Sequence, residues 1–111
     1  MRKYTMALCE GRHSIPQAVD GAVFPNTVDP TDLTSLKKTC HERLKDCSEL
    51  SLYVTGLTVA LTTVIGYCVK NAIPLTLYHF DRESGEYYAQ PLLATDTVAS
   101  YDYGYSCVTG V

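Results

Sequence analysis

The sequence lacks the short motifs that identify the commonest nucleotide-dependent and hydrolytic enzymes. It contains no GxGxxG, no GxxxxGK[ST], no HExxH and no GxSxG. Each of these motifs fixes a phosphate-binding turn, a metal-ligand pair or a nucleophile at a set spacing. Dinucleotide oxidoreductases, P-loop enzymes, zincins and α/β-hydrolases therefore have no support here. Internal repeats and low-complexity tracts are absent as well.

Basic charge is also scarce. The chain has 9 Lys and Arg against 12 Asp and Glu, a net charge of -3 and a pI near 5.5. Proteins that hold long DNA or RNA normally cluster Lys and Arg on one surface. We therefore expect no long nucleic acid as a partner, whereas a small nucleotide or a protein remains open.

The five cysteines are odd in number and show no CxxC spacing. This pattern indicates neither a zinc site nor a disulfide framework, and it favours small buried side chains in a reducing compartment. No apolar segment with a small-residue cleavage site follows the basic N-terminus, so we expect a cytoplasmic protein. No metal or cofactor is expected.

Residues 50–69, LSLYVTGLTVALTTVIGYCV, contain no charged side chain. Their length suits a membrane-spanning helix. The several Thr and Gly residues, and the absence of an aromatic belt with basic flanks, favour a different interpretation. A strand over 50–54, a turn at Thr55 and Gly56, and a buried helix over 57–69 fit the pattern better.

The remaining segments extend this alternation of strands and helices. Asp29 as N-cap, Pro30 at the first helical position and Asp32 in the first turn predict a helix from there to about residue 46. Its apolar stripe comprises Leu33, Leu36, Cys40, Leu44 and Cys47. Strands are predicted at 3–9, 73–80 and 86–92, with an irregular loop over 10–30 and a turn at 81–85.

This order predicts an α/β fold: a small Rossmann-like three-layer domain over 1–93, with a mainly parallel sheet and a C-terminal β-hairpin. Residues 94–111 carry tyrosines at alternate positions. They are interpreted as an edge strand, a dimer contact or a tail.

Ligands of open parallel sheets bind beyond the carboxyl ends of the strands. Three predicted loops meet at that edge, beside the N-terminus of the second helix, where unpaired N–H groups and the helix dipole favour anions. Their candidate ligand-binding and catalytic residues are Glu10, Gly11, Arg12, His13, Thr55, Gly56, Leu57, Thr58, His79, Asp81 and Arg82.

Each candidate also has a purely structural explanation. The threonines of the Thr55 to Thr58 turn could only cap the helix, while its glycine permits close backbone approach to an anion. His79 could be a satisfied strand histidine, and the segment from Asp81 to Gly85 a simple hairpin turn with glycine in a left-handed conformation. A Cys9 nucleophile paired with His13 has little support, since nothing around it stabilises a thiolate.

Two segments, YVTGLTVAL and LTLYHFDRESGEYY, follow a first strand that ends in a polar loop. Over residues 3–92 this arrangement resembles the CRISPR-associated Rossmann-fold (CARF) group and its small stand-alone relatives. The resemblance implies a homodimer that binds cyclic oligoadenylate across the dimer axis, and some such proteins are ring nucleases. Members occur in prokaryotic antiviral defence islands and, as countermeasures, in phages.

Carried over to this chain, the resemblance implies that residues 10–13 and 55–58 contact the ring phosphates and adenines, with residues 79, 81 and 82 at the rim. Arg12 and His13 would position and stabilise a metal-independent phosphodiester cleavage. The chain carries no effector domain and has an unusually long first loop, which favours a protein that degrades or sequesters the signal. The alternatives are a non-catalytic nucleotide sponge or sensor, and a protein interaction module without nucleotide affinity.

Overall fold

The computed structural model of the protein describes residues 1–11 and 15–93. Within them, the chain forms five strands and two helices, and the polar first helix contributes only a narrow apolar stripe to the core. The strands are β1 (Arg2–Cys9), β2 (Ala22–Phe24), β3 (Cys47–Tyr53), β4 (Leu75–Asp81) and β5 (Glu86–Leu93), and the helices are α1 (Leu33–Leu44) and α2 (Thr58–Lys70).

The five strands form one sheet in the order β2-β1-β3-β4-β5. The first four are parallel, and β5 returns antiparallel to β4. Ala7, Tyr53 and Tyr78 lie side by side in neighbouring strands, which fixes the register of the centre of the sheet. The predicted α/β class with a mainly parallel sheet is confirmed, and the arrangement is compatible with a Rossmann-like fold.

Both helices lie on the same face of the sheet. They pack against each other, and their buried stripes share one core with Leu50 and Leu52 of β3 and with the alternating leucines of β4. Because successive strand residues point to opposite faces, these leucines all project toward the helices. The expected third layer is therefore not found in the described residues, where a single helical layer covers a single sheet.

The uncharged stretch divides as predicted, since β3 ends at Tyr53 and α2 begins at Thr58. A bend around Gly56 separates the two elements. Among the described residues, no helix has both the length and the apolar character needed to cross a membrane.

The first helix begins three residues later than its sequence suggested. Asp32 is the N-cap, and its carboxylate accepts a hydrogen bond from the Ser35 backbone N–H at 3.1 Å. The carboxylate of Asp29 instead accepts bonds from the backbone N–H and the hydroxyl of Thr31. Asp29 thus forms a local turn with Thr31, and Asp32 caps the helix, which begins at Leu33.

Two members of the predicted apolar stripe fall elsewhere as a result. Leu33, at the first position of α1, is 52% exposed. Cys47 is buried, but it opens β3 and does not belong to the helix. Leu36, Cys40 and Leu44 form the buried face of α1 as expected.

Strand β2 lies inside the segment predicted to be an irregular loop. Its three residues pair with β1, with Ala22 beside Ala7 and Phe24 beside Cys9. The Arg43 guanidinium of α1 donates a hydrogen bond of 2.6 Å to the Ala22 carbonyl oxygen, which ties the helix to this edge strand. A strand of three residues is too short to show a periodic pattern, so hydrophobic periodicity does not predict it.

The sheet face away from the helices carries an aromatic cluster. The rings of Tyr53 and Tyr78 stack at a centroid distance of 4.7 Å, and Tyr87 meets Tyr53 edge-on at 4.8 Å. Phe80 joins the cluster through Tyr87 and is 52% exposed. These contacts leave Tyr53 only 8% exposed, so cross-strand aromatic packing covers the centre of this face without a second helical layer in the described residues.

The turn between β4 and β5 requires glycine at its last position. Gly85 has φ +73, and its N–H donates to the Asp81 carbonyl oxygen at 2.8 Å. We expect Gly85→Ala to lower the free energy of unfolding by about 1 kcal/mol, because a Cβ disfavours this conformation. Urea denaturation followed by circular dichroism measures the change.

Gly66 provides the matched control for that substitution. It lies inside α2, and a Cβ added there meets no atom within 4 Å. Alanine at this position should raise the free energy of unfolding by up to about 1 kcal/mol, because glycine is the weaker helix former. Shifts of the same sign in the two variants would contradict the assigned backbone conformations.

Candidate functional site

Three segments at the carboxyl edge of the sheet form the strand-end site, defined as residues 10–11, 55–58 and 79–82. The third was predicted to be a loop from His79 onward, but β4 continues as far as Asp81 because these residues pair with β5. Strands β1, β3 and β4 are parallel and in register at Ala7, Tyr53 and Tyr78, so the chain leaves all three at the same edge. This register places the three segments at one edge of the sheet. Arg12 and His13, the predicted catalytic residues, lie outside the described residues, as does the Tyr-rich segment 94–111.

Thr55 connects two of these loops. Its hydroxyl oxygen accepts a hydrogen bond of 3.2 Å from the Cys9 backbone N–H at the end of β1. The Glu10 N–H donates to the Phe24 carbonyl oxygen at 2.9 Å, which holds the start of the first loop against β2. Thr55 therefore positions the β3 loop against β1, a role that its sequence context did not reveal.

No side chain of the described residues caps the N-terminus of α2. The N-cap residue is Leu57, whose side chain has no group able to accept a hydrogen bond, and neither neighbouring threonine caps the helix. Among the described residues, no acceptor bonds to the backbone N–H groups of Thr58, Val59 and Ala60. The capping explanation for these threonines therefore does not apply in the described structure, and the first-turn donors are available at the sheet edge.

Gly56 leaves the approach to these donors open. It is exposed, and a Cβ at this position would meet no atom within 4 Å. The residue has no positive φ, so the backbone does not require glycine here. A side chain at residue 56 would therefore be tolerated by the fold and would occupy space beside the helix end.

His79 and Asp81 are engaged within the β4–β5 hairpin. The His79 Nε2 atom lies 2.7 Å from the Gln90 Oε1 atom across the two strands, as a satisfied strand histidine would. A hydrogen bond from the Ser84 side chain, and a second from the Glu83 backbone N–H, lower the pKa of the Asp81 carboxyl. The structural explanations therefore account for both residues, including the predicted turn.

The charges around the strand-end site are mixed. The described rim carries Glu10, Asp81 and Glu83 against Arg82. Because Asp81 has a lowered pKa, its carboxylate is ionised at neutral pH and repels anions at the hairpin tip. The side chains of the described rim would not attract a phosphate as a group. Among the described groups, the backbone donors at the N-terminus of α2 are the ones suited to an anion.

The thiols show no sign of activation. Burial raises the pKa of the Cys40 thiol to about 12 and, with the neighbouring thiols, that of Cys68 to about 12. Burial also raises the pKa of the Cys9 thiol, although a hydrogen bond between this side chain and Thr55 opposes the shift. A thiolate nucleophile at Cys9 is therefore disfavoured at neutral pH.

Alkylation at pH 8 tests this assignment directly. Cys40, Cys47 and Cys68 are buried, and Cys9 is half-buried. We expect iodoacetamide to leave the three buried thiols unmodified in the folded protein, while Cys9 reacts slowly, because both burial and protonation suppress attack. Mass spectrometry of peptides measures the modification of each cysteine, and in urea these four thiols should all react. Rapid native labelling of Cys40 or Cys68 would contradict the described core.

In the described part of the chain, no group of three or more His, Cys, Asp or Glu side chains is arranged to hold a metal ion. No protein-family model, no curated protein and no solved structure matches this chain.

Proposed function

We propose that the protein binds a cyclic oligonucleotide second messenger of the cyclic oligoadenylate class at the strand-end site. The observation that supports this most is the N-terminus of α2, where no described residue bonds to the first three backbone N–H groups at the sheet edge that carries the strand-end site. Such a helix end binds phosphate through its donors and its positive dipole. The choice of a cyclic oligoadenylate comes from the resemblance to CARF proteins.

The proposed binding mode places one ring phosphate against the Thr58 N–H and its neighbours. Gly56 lets the phosphate approach the backbone closely, and the Thr55 hydrogen bond to Cys9 keeps the turn in place. The resemblance implies that Arg12 and His13 supply any cleavage and that a homodimer encloses the ring. A protein that holds the ring intact, a sponge or a sensor, uses the same contacts.

Incubation with cyclic oligoadenylates of several ring sizes and with cyclic dinucleotides tests the proposal. We expect a thermal shift with at least one cyclic oligoadenylate. Chromatography of the recovered nucleotide then separates a ring nuclease, which yields a linear product, from a sponge. Absence of any shift across the panel would overturn the proposal and favour the interaction module.

Gly56→Val locates the site. The fold has room for the added side chain, so the variant should keep the circular dichroism spectrum and the melting temperature of the parent protein. Valine would block the approach to the α2 donors, and nucleotide binding should fall about tenfold or more, equivalent to the loss of one charge-assisted hydrogen bond. A folded variant with full affinity would show that the ligand binds elsewhere.

A further inference from the structure

A cleft with a cavity volume of about 800 Å³ runs between α1 and α2 on the side of the helices away from the sheet. Its volume lies within the range of about 300–1,000 Å³ that is usual for small-molecule sites. The lining extends from the first turn of each helix to the last turn of α2. None of the three loops of the strand-end site contributes a cation to it.

The cleft combines an apolar floor with a cationic rim. Cys40 lies fully buried beneath it, and Tyr67 is half-buried along one wall. Lys37 from α1 and Lys70 from α2 stand exposed at the rim, and His41 lies between the helices. No Asp or Glu is found among the described residues that line the cleft.

The polar groups of the walls are largely satisfied by the protein itself. The His41 Nδ1 atom lies 3.1 Å from the Tyr67 hydroxyl oxygen, and the Thr63 hydroxyl donates to the Val59 carbonyl oxygen at 2.8 Å. The two lysines differ, since neither forms a salt bridge with any described carboxylate. An acidic chain thus presents two cations without a described acidic partner above an apolar surface.

We infer that this cleft binds an organic anion with a flat apolar body, such as an aromatic carboxylate or sulfonate. The apolar body lies above Cys40 and against Tyr67, and the anionic group lies at the rim that carries Lys37 and Lys70. Charge complementarity selects an anion over a neutral molecule of the same shape. The inference is independent of the nucleotide proposal, because Lys37, His41 and Lys70 belong to none of the loops of the strand-end site.

The test uses 1-naphthoate and its neutral counterpart 1-naphthalenemethanol as probes of the full-length protein. Titration followed by ¹H–¹⁵N correlation spectra should move the amide signals of Lys37, His41, Gly66 and Tyr67. Naphthoate should bind about tenfold more tightly than the alcohol, as expected when two partly exposed cations each contribute a modest attraction. Equal binding of the two probes, or no binding of naphthoate at millimolar concentration, would overturn the inference.

Charge reversal distinguishes these lysines from the general charge of the helices. The double variant Lys37→Glu/Lys70→Glu should weaken naphthoate binding about tenfold or more. Its matched control is Lys38→Glu/Lys45→Glu, which changes the net charge by the same amount. As in the test variant, one residue lies inside a helix and the other at a helix C-terminus, but neither lines the cleft. The control should bind naphthoate within about twofold of the parent protein. Equal losses in both variants would refute a site at the cleft.

Gly66→Leu fills the cleft without a change in charge. Gly66 lines the cavity, and a Cβ there meets no atom within 4 Å, so leucine extends into the space that the ligand would occupy. Leucine is also the better helix former, and the variant should melt no lower than the parent protein. Binding of naphthoate should be lost, and full binding by this folded variant would contradict the inference.

Discussion

Leu52→Ala is expected to lower the free energy of unfolding by about 2–5 kcal/mol, the largest stability effect that the fold predicts. Leu52 lies in β3, the central strand of the sheet, and is fully buried beneath the two helices. Truncation removes apolar contacts and leaves a cavity that β3 and the helices cannot easily close, since both sides of the strand are paired. A domain of this size typically has about 5–15 kcal/mol in total, so the variant should melt far below the parent protein.

Leu92→Ala is the matched control for this truncation. Leu92 lies in the edge strand β5 and is 38% exposed. The same chemical change there should cost about 1 kcal/mol or less, because water already reaches much of the side chain. Urea denaturation with a common slope compares the two variants. If Leu52→Ala lost no more stability than Leu92→Ala, the core would not lie between β3 and the helices.

Thr58→Pro is expected to weaken nucleotide binding about tenfold or more while the fold is kept. Thr58 is the first residue of α2, a position where proline is favoured because its missing N–H has no intrahelical acceptor. The preceding residue, Leu57, already has the extended backbone that a following proline requires, with φ -96 and ψ 105. The substitution thus deletes one proposed phosphate donor, worth about 1.5–3 kcal/mol when the acceptor is charged.

Thr58→Ala separates the backbone donor from the side chain. This variant loses the hydroxyl, which caps nothing in the described structure, and keeps the N–H. It should bind cyclic oligoadenylate within about threefold of the parent protein if the backbone carries the contact. Isothermal titration of both variants with the same nucleotide measures the difference. Equal losses in the two would assign the contact to the hydroxyl, and no loss in either would remove α2 from the site.

The longer elements were predictable because hydrophobic runs with Gly, Pro and charged boundaries define them. The uncharged stretch predicted a strand and a helix where β3 and α2 lie, and the turn that contains Gly85 predicted that β5 follows β4 as a hairpin. The layer arrangement was not predictable in the same way. Tyr53 and Tyr78 serve equally well on a face covered by a helix or on one closed by their own stacking, and only the tertiary structure decides between them.

The candidate site was predictable as a place but less so as a set of contacts. Parallel strand order alone brings residues 10–11, 55–58 and 79–82 to one edge. The role of Thr55 could not be inferred, because its acceptor oxygen meets an N–H 46 residues away in sequence. Aspartate is a favoured N-cap residue at either position, but only Asp32 caps α1, because the carboxylate of Asp29 bonds to Thr31. The sequence does not predict that Lys37 and Lys70 line the same cleft, since only the packing of α1 against α2 brings them there.

The most direct measurement of the central claim is a ¹H–¹⁵N correlation titration of the labelled protein with the cyclic oligoadenylate that gives the largest thermal shift. We expect the largest saturable changes on the amides of residues 55–60, because a phosphate would accept hydrogen bonds from the first turn of α2. Amides of the α1–α2 cleft, such as Gly66, should change little. Saturable changes that spare residues 55–60, or no change with any ring size, would contradict nucleotide binding at the strand-end site.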